Sequence, residues 1–428
     1  LKLLIKNSRI IDPANNIDDS LDIFIEGNII KKVAKGIKAE ASAKVIDAKG
    51  KIVAPGLIDI HTHLREPGFE YKETIRTGTM AAAAGGFTAI CCMPNTNPIN
   101  DNRAVTEFIL SKTAREGIVN VLPIGAITKG LQGEELAEIN DMVNAGCVAI
   151  SDDGRGVMDA EVMRRGLEYT KAFDITVIAH CEDANLSSGG VMNEGFASTT
   201  LGLRGIPKAA EEVMVVRDIA LAELTGARLH IAHVSSAGSV ESIRIAKKRG
   251  VKVSCETCPH YFTLTEDAVI GYNTNAKVNP PLRTKEDVKA IKEGLKDGTI
   301  DIIASDHAPH AVHEKEIEFD YASFGMIGLE TSLPLILNIV REGVLTLNDA
   351  IAKATINPAR LLKLKKGTLS EGADSDITII DTEKEWIVDV NNFKSKSKNT
   401  AFAGMKMKGR AVMTIVGGKI VYETGDIK

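Results

Sequence analysis

Eight short apolar runs alternate with longer stretches of helical periodicity through the middle of this chain. The runs are Leu57 to Ile60, Phe87 to Met93, Val119 to Ile124, Cys147 to Ser151, Thr176 to His180, Arg228 to His233, Val251 to Glu256 and Ile300 to Asp306. Helical candidates between them include Lys72 to Ala84, Asp159 to Ala172, Ala209 to Leu224 and Ser239 to Arg249. A repeated strand–helix–strand rhythm requires parallel strands joined by right-handed crossovers. Eight such strands close into an α/β barrel of the (β/α)8, TIM-like type. The competing topology is an open doubly wound sheet, which carries a glycine-rich dinucleotide loop after its first strand. No such loop follows Leu57 to Ile60.

The two ends differ from the middle. Lys2 to Lys6, Leu21 to Glu26 and Ile29 to Val33 alternate apolar and polar residues and read as strands, with Gly27-Asn28 as a turn. Leu1 to Asn16 has no continuous apolar core of the signal-peptide kind and is read as a strand. Ser375 to Asp381, Trp386 to Val390, and Ala411 to Tyr422 with a turn at Gly417-Gly418, repeat that texture. The sequence therefore predicts a barrel over residues 56–365. A small β domain is built from both termini, residues 1–55 and 366–428.

Two stretches fit neither pattern. Glu182 to Pro207 is rich in Gly and Ser, and His307 to Ser323 is polar and charged. Both follow barrel strands on the face where active sites sit, so each is a candidate lid or a plain surface excursion. The net charge of −5 offers no basic field for nucleic acid or a membrane surface, and aromatics are only 4%. No apolar run approaches the roughly 18 residues of a membrane span. Six cysteines in 428 residues make no disulfide scaffold and read as reduced thiols of a cytoplasmic protein.

Chemistry concentrates at the ends of the runs. Asp59, His61 and His63 share strand parity in Asp59-Ile-His-Thr-His63, so both imidazoles can face one point. Imidazole is a common ligand for zinc. The fourth run ends in Asp152-Asp153, the fifth in His180, the sixth in His230-Ile-Ala-His233 and the eighth in Asp306-His307. Five strands thus deliver His or Asp to one barrel face, which predicts a metal site there. Parity lets only one of His230 and His233 face it, and the same holds for Asp152 and Asp153. Asp59 lies deeper and reads as a hydrogen-bond partner of the ligands. His260 reads as structural and His313 as solvated. Cys255-x-x-Cys258 lacks the second pair of a zinc finger.

These residues resemble a known family. Pro55-Gly-Leu-Ile-Asp-Ile-His-Thr-His63 is similar to the opening motif of the amidohydrolase superfamily. The continuation His63-Leu-Arg-Glu-Pro-Gly68, Gly85-Gly-Phe-Thr88 and Met93-Pro-Asn-Thr-Asn-Pro98 resembles the dihydroorotases. So do Lys277-Val-Asn-Pro-Pro-Leu-Arg283, Ser305-Asp-His-Ala-Pro-His310 and Phe324-Gly-Met-Ile-Gly-Leu-Glu330. The likeness runs from about Leu3 to Val421 and is greatest to the longer bacterial branch.

The resemblance implies a reversible closure of N-carbamoyl-L-aspartate to L-dihydroorotate, in pyrimidine biosynthesis, with zinc. His61, His63 and Asp306 match ligands of one ion, and His180 and His233 match ligands of a second, with Asp153 between them. Many dinuclear relatives bridge their metals with a carboxylated Lys at this place. Residues 147–154 contain none, and Asp153 stands there instead, so the resemblance implies one or two ions per chain. Arg65, Asn95, Asn279, His310 and the backbone of Phe324-Gly325 match substrate-binding positions, His63 also faces the substrate, and Asp306 matches the proton-transferring residue.

The chemistry agrees. An amide carbonyl is a poor electrophile and water a poor nucleophile, and a metal ion remedies both. Asp306 can carry the proton from water to the departing nitrogen. Arg65, two residues past His63, shares the site-facing side if the strand stays extended, and its guanidinium suits the substrate carboxylate. Two alternatives differ from this reading. An allantoinase or hydantoinase takes an uncharged ring and needs no such cation. A non-catalytic scaffold homologue loses its ligands, and here they are all present. Some members of the family associate with aspartate transcarbamoylase, and a homo-oligomer is expected.

Overall fold

The computed structural model describes residues 2–425. Leu1 of the expected first strand, and residues 426–428 of the C-terminal segment, lie outside the described residues. A parallel sheet takes its strands in sequence order: Leu57–Thr62, Phe87–Cys92, Asn120–Gly125, Ala149–Ser151, Thr176–Ala179, Leu229–Ile231, Val253–Thr257 and Ile302–Ile303. It curls into a nearly closed barrel. The closing contact between first and last strands is a parallel bridge from Thr62 to His307, with the His63 amide donating to His307 O at 2.9 Å.

All eight expected runs are present, several shorter than expected. The eighth shrinks from Ile300–Asp306 to Ile302–Ile303. Its Ser305 amide donates to the Asp59 carboxylate and not to a neighbouring carbonyl. A side chain has replaced a rung of the ladder, and the strand ends there. Leu57–Thr62 and Phe87–Cys92 are buried throughout, as barrel strands covered on both faces must be. Ile58, Ile60, Ala89, Cys91, Ile124, Ala149, Ile178, Ile302 and Ala304 form one apolar cluster. The barrel is therefore filled rather than open.

Helices follow the strands. Ile75–Gly85 starts at Thr74, whose hydroxyl accepts from the Thr77 amide, a cap worth about 1 kcal/mol. It ends at Gly86, with φ +91°. Gly85 lies so close to the helix Leu329–Arg341 that a Cβ there would stand 2.2 Å from Leu329 O. That contact explains the paired glycines of the Gly85-Gly-Phe-Thr88 motif.

Both ends of the chain join one mixed sheet. Its order is Lys419–Glu423, Lys406–Val416, Ile377–Ile387, Ile52–Pro55, Lys2–Asp12, Ile17–Glu26 and Ile29–Ala34, with Lys44–Asp47 paired to Lys2–Asp12. One expectation is corrected here. Ser375–Asp381 and Trp386–Val390 are not two strands but a single one, Ile377–Ile387. The polar break between them is a register shift in which Asp381 Oδ1 accepts from the Glu383 and Lys384 amides.

The two irregular stretches are folded. Glu182 to Pro207 contains a two-strand pair, Met192–Asn193 with Gly205–Ile206, around the helix Phe196–Leu201. Arg283 pins that unit, with Nη1 donating to Asn193 Oδ1 and Ile206 O at 2.9 Å each. His307 to Ser323 contains the short helix Val312–Lys315. Among the described residues no helix is long and apolar enough to cross a membrane.

Candidate metal centre

At the C-terminal end of the barrel strands a cavity of about 240 Å³ is lined by His63, Arg65, Asn95, Asp153, His180, His233, Asn279, Asp306, His310, Phe324 and Gly325. Every site residue expected from the sequence lines it except His61, which lies fully buried beneath. The volume suits one small ring and little more.

His61, His63 and His180 are each oriented by a partner on the far side, whereas His233 Nδ1 is buried with no hydrogen-bond partner among the described residues. His61 Nδ1 lies 2.7 Å from Glu256 Oε1 and donates to it, leaving Nε2 for the site. His63 Nδ1 lies 2.9 Å from Asn95 Oδ1. His180 Nε2 lies 2.9 Å from Glu182 Oε2, leaving Nδ1 to face inward. A histidine whose outer N–H is fixed presents a bare lone pair inward, as a metal ligand must.

The inward atoms converge. His61 Nε2 stands 3.3 Å from Asp153 Oδ1 and 3.6 Å from Asp306 Oδ1. His63 Nε2 stands 3.2 Å from Asp306 Oδ1 and 3.5 Å from Asp153 Oδ2. His233 Nε2 and His180 Nδ1 lie 3.5 and 3.6 Å from Asp153 Oδ1. Two ligands of a tetrahedral zinc stand about 3.3–3.4 Å apart, given bonds near 2.0–2.1 Å. His61 Nε2 and Asp153 Oδ1 are buried and hydrogen-bonded to nothing among the described residues. The donor set therefore fits a divalent metal. Two compact groups share His61, with ligand atoms within 4.8 Å of one another: His61, His63 and Asp306; and His61, Asp153 and His233. His180 joins neither group, and its Nδ1 lies 2.8 Å from His233 Nε2.

Burial pushes the Asp306 carboxyl up, but the hydrogen bond to His63 and the charges of His61, His63 and His233 prevail and bring it down to about 2. Glu256 follows the same logic, since its bonds to His230 and His61 overcome burial and hold it at about 2. Burial lowers the His310 imidazole to about 4, against its contact with Glu314. His310 is thus neutral at pH 7.

The paired alternatives separate by their partners. His230 turns away, with Nδ1 2.8 Å from Ser254 Oγ and Nε2 3.3 Å from Glu256 Oε2. Asp152 turns away too, accepting the Ile127 and Thr128 amides at 2.7 and 3.0 Å. Asp59 accepts from the His61 and Ser305 amides and contacts the site only through backbone. His313 is exposed, with its ring stacked on Tyr71. His260 is buried, and Cys258, His260 and Asp306 form a third close group. Cys255 is unrelated to that group, its thiol facing Thr299 O.

The route by which Arg65 reaches the site is corrected. The strand ends at Thr62, and Arg65 has φ +61°. The extended conformation does not continue, and a left-handed residue swings the side chain in. There Nε donates to Pro309 O at 3.1 Å, and Nη2 lies 3.3 Å from His310 Nε2. His233 at φ +34° and Asp306 at φ +46° share this uncommon backbone. Such conformations cost about 1–3 kcal/mol each and gather where function demands them.

Sequence reasoning missed Glu256 and Glu182. Glu256 ends the seventh run, and a lone carboxylate closing an apolar strand was the available signal. Glu182 sits two residues past His180, and also accepts from Asn279 Nδ2 at 2.7 Å.

Comparison with known proteins places the family. Residues 50–239 match the family described as dihydro-orotase-like, and residues 208–422 match an amidohydrolase family. The chain is 58% identical to a dihydroorotase of Geotalea daltonii over 423 residues, 99% of this chain and 100% of that one. It is 58% identical to a dihydroorotase of Syntrophotalea carbinolica over the full length of both chains. Among solved structures it is similar to an L-hydantoinase from Arthrobacter aurescens, with TM-score 0.90 and 28% identity, covering 100% of this chain and 97% of that one. Identity above one half along the whole of both chains, with the motif histidines gathered at one barrel mouth, makes this chain a hydrolase of cyclic amide bonds and a member of the dihydroorotase family.

Proposed function

We propose that the chain is a zinc-dependent dihydroorotase, interconverting N-carbamoyl-L-aspartate and L-dihydroorotate in pyrimidine biosynthesis. The observation that carries this reading is Arg65 beside His310 in the wall of the cavity that holds the metal group. A dihydroorotate ring bears a carboxylate, and a guanidinium can hold it with two parallel bonds. A hydantoin ring has no such anion, so a cation in that wall would serve nothing. The similarity of fold to hydantoinases does not bear on this choice, because fold alone does not set substrate.

His61, His63 and Asp306 would hold one ion, with Asp153 reaching towards His233 and His180 for a second. A metal ion bound there supplies Lewis acidity towards the ring carbonyl and lowers the pKa of water towards about 7. Asp306 accepts the proton of the attacking water as the new C–O bond forms, then delivers it to the ring nitrogen as the C–N bond breaks. Ring closure runs the same transfers backwards. Asn279 and the Phe324-Gly325 backbone fix the ring edge, and neutral His310 stands beside Arg65 to complete the carboxylate pocket. Six buried free thiols fit a reducing compartment, and we place the chain in the cytoplasm.

The test is hydrolysis of L-dihydroorotate by metal-loaded protein, with hydantoin and allantoin assayed in parallel and zinc measured on the same sample. Turnover of dihydroorotate alone is expected. Preference for either uncharged ring would overturn the assignment.

A further inference from the structure

Between the strands Ile377–Ile387 and Lys406–Val416 the chain leaves the sheet and crosses to the barrel mouth. Residues Phe393 to Asn399 form a strap there. The Lys394 and Ser395 amides donate to Glu330 Oε1 at 2.7 and 3.2 Å. The Ser395 hydroxyl and the Lys396 amide both donate to the buried Glu73 carboxylate. Ser397 Oγ donates to Lys72 O at 2.7 Å. The strap is thus fixed to the barrel at three points before its last residue.

That last residue, Asn399, is 5% exposed and divides its side-chain amide among the site segments. Its Oδ1 accepts from the His310 amide at 3.0 Å. Its Nδ2 donates to Ala308 O and to Gly325 O, each at 3.1 Å. Its own carbonyl accepts from the Ile327 amide at 2.8 Å. Both amide protons are used, and three of the four partner residues, Ala308, His310 and Gly325, line the cavity.

We propose that Asn399 is a positioning residue that shapes the carboxylate-binding side of the pocket by fixing His310 and Gly325. The inference rests on the reading of those two positions as substrate-binding. Gly325 has φ +131°, and a Cβ on it would stand 2.7 Å from Ala308 Cβ. The segments 308–310 and 324–326 therefore lie in close contact, with the Ala308 amide donating to Met326 O at 2.9 Å. Asn399 braces that contact from one flank. Lys315 Nζ holds the other flank, donating to Ser323 O and Gly325 O at 2.7 and 3.0 Å. His310 Nε2 in turn donates to Phe324 O at 2.7 Å, which fixes the imidazole beside Arg65. A small shift of this frame moves the carboxylate pocket, and leaves His61, His63 and Asp306 on their own strand ends.

The experiment is steady-state kinetics of zinc-loaded Asn399→Ala against L-dihydroorotate, with zinc content and melting temperature measured alongside. KM is expected to rise about tenfold or more, with kcat within about threefold and zinc unchanged, since misplacing a binding group weakens binding before chemistry. Asn399→Ala added to His310→Ala is expected to raise KM little beyond His310→Ala alone, as residues acting through one contact are not additive. If Asn399→Ala is insoluble, Asn399→Ser carries the same KM criterion, and insolubility of both overturns the positioning role in favour of a purely structural one. An unchanged KM, or full additivity with His310→Ala, also overturns it. A parent chain that does not turn over dihydroorotate overturns the reading of the site and this inference with it. A parent with normal turnover beside an Asn399 variant of parental KM overturns this inference alone.

Discussion

Glu256 Oε1 lies 2.7 Å from His61 Nδ1, with both side chains sealed inside the barrel. The same carboxylate reaches His230 with its other oxygen, and His230 reaches Ser254. A charged group this deep persists only because each of its oxygens has a partner. Its effect on the site is to fix the His61 tautomer and enrich the Nε2 lone pair. Glu256→Gln preserves size and removes the charge. The expected result is a metal affinity lower by about 10–100-fold, read by competition with a chromogenic chelator. Parental affinity would leave Glu256 with a packing role only.

The strand ends were legible because strand parity is a property of sequence. His61 and His63 share a face in any extended chain, and the family motifs set the remaining ligands beside them. Parity fails where strands end. Arg65, His233 and Asp306 all adopt positive φ, so spacing did not say where they point. Strand parity left His230 or His233, and Asp152 or Asp153, open, and the family resemblance pointed to His233 and Asp153; in the structure His230 turns to Glu256 and Asp152 to Thr128. The strap of Phe393 to Asn399 was invisible for a related reason. It has no periodicity, and its bonds go to Glu73, His310 and Gly325, far away in the sequence.

Arg65 supplies a test of substrate class. It contacts Pro309 O and His310, and it is not a member of either metal group. Arg65→Met keeps much of the aliphatic stem and removes the fork. The expected loss in kcat/KM for dihydroorotate is about 2–5 kcal/mol, with zinc content unchanged, because the substrate carboxylate is left without its counter-charge. Kinetics and metal analysis on one preparation read both. Parental kcat/KM would place Arg65 outside the pocket's work.

Glu330 predicts a pH dependence of stability. Burial raises its carboxyl from 4.5 to about 7, against the amides of Ser395 and Lys394. A carboxyl raised in the folded state favours folding when protonated. Its contribution is present below about pH 4.5, falls as pH rises, and is lost above about pH 7. Glu330→Gln keeps an acceptor for both amides and never ionises. The variant is expected to be more stable than the parent at pH 8, by about 1–3 kcal/mol, and the gap should narrow towards pH 5. Thermal melts of both proteins at the two pH values decide it. A gap that is constant or widens at low pH contradicts the assignment.

Asp306 combines two roles that one substitution can separate. It stands at φ +46° just past the shortest barrel strand, with Oδ1 3.2 Å from His63 Nε2 and 3.6 Å from His61 Nε2. Its neighbours hold it ionised well below neutral pH, so it meets the attacking water as a base. Asn is nearly isosteric and still offers an oxygen to a metal, but it takes no proton. Asp306→Asn is expected to lower turnover by at least about 10²-fold while His61, His63 and Asp153 retain most of the zinc. Full zinc with lost turnover assigns proton transfer to Asp306. Lost zinc with lost turnover leaves it a ligand alone. Near-parental turnover with full zinc removes it from the mechanism, and the search for the base then passes to His310, an imidazole in the cavity wall outside both metal groups that burial keeps neutral at pH 7.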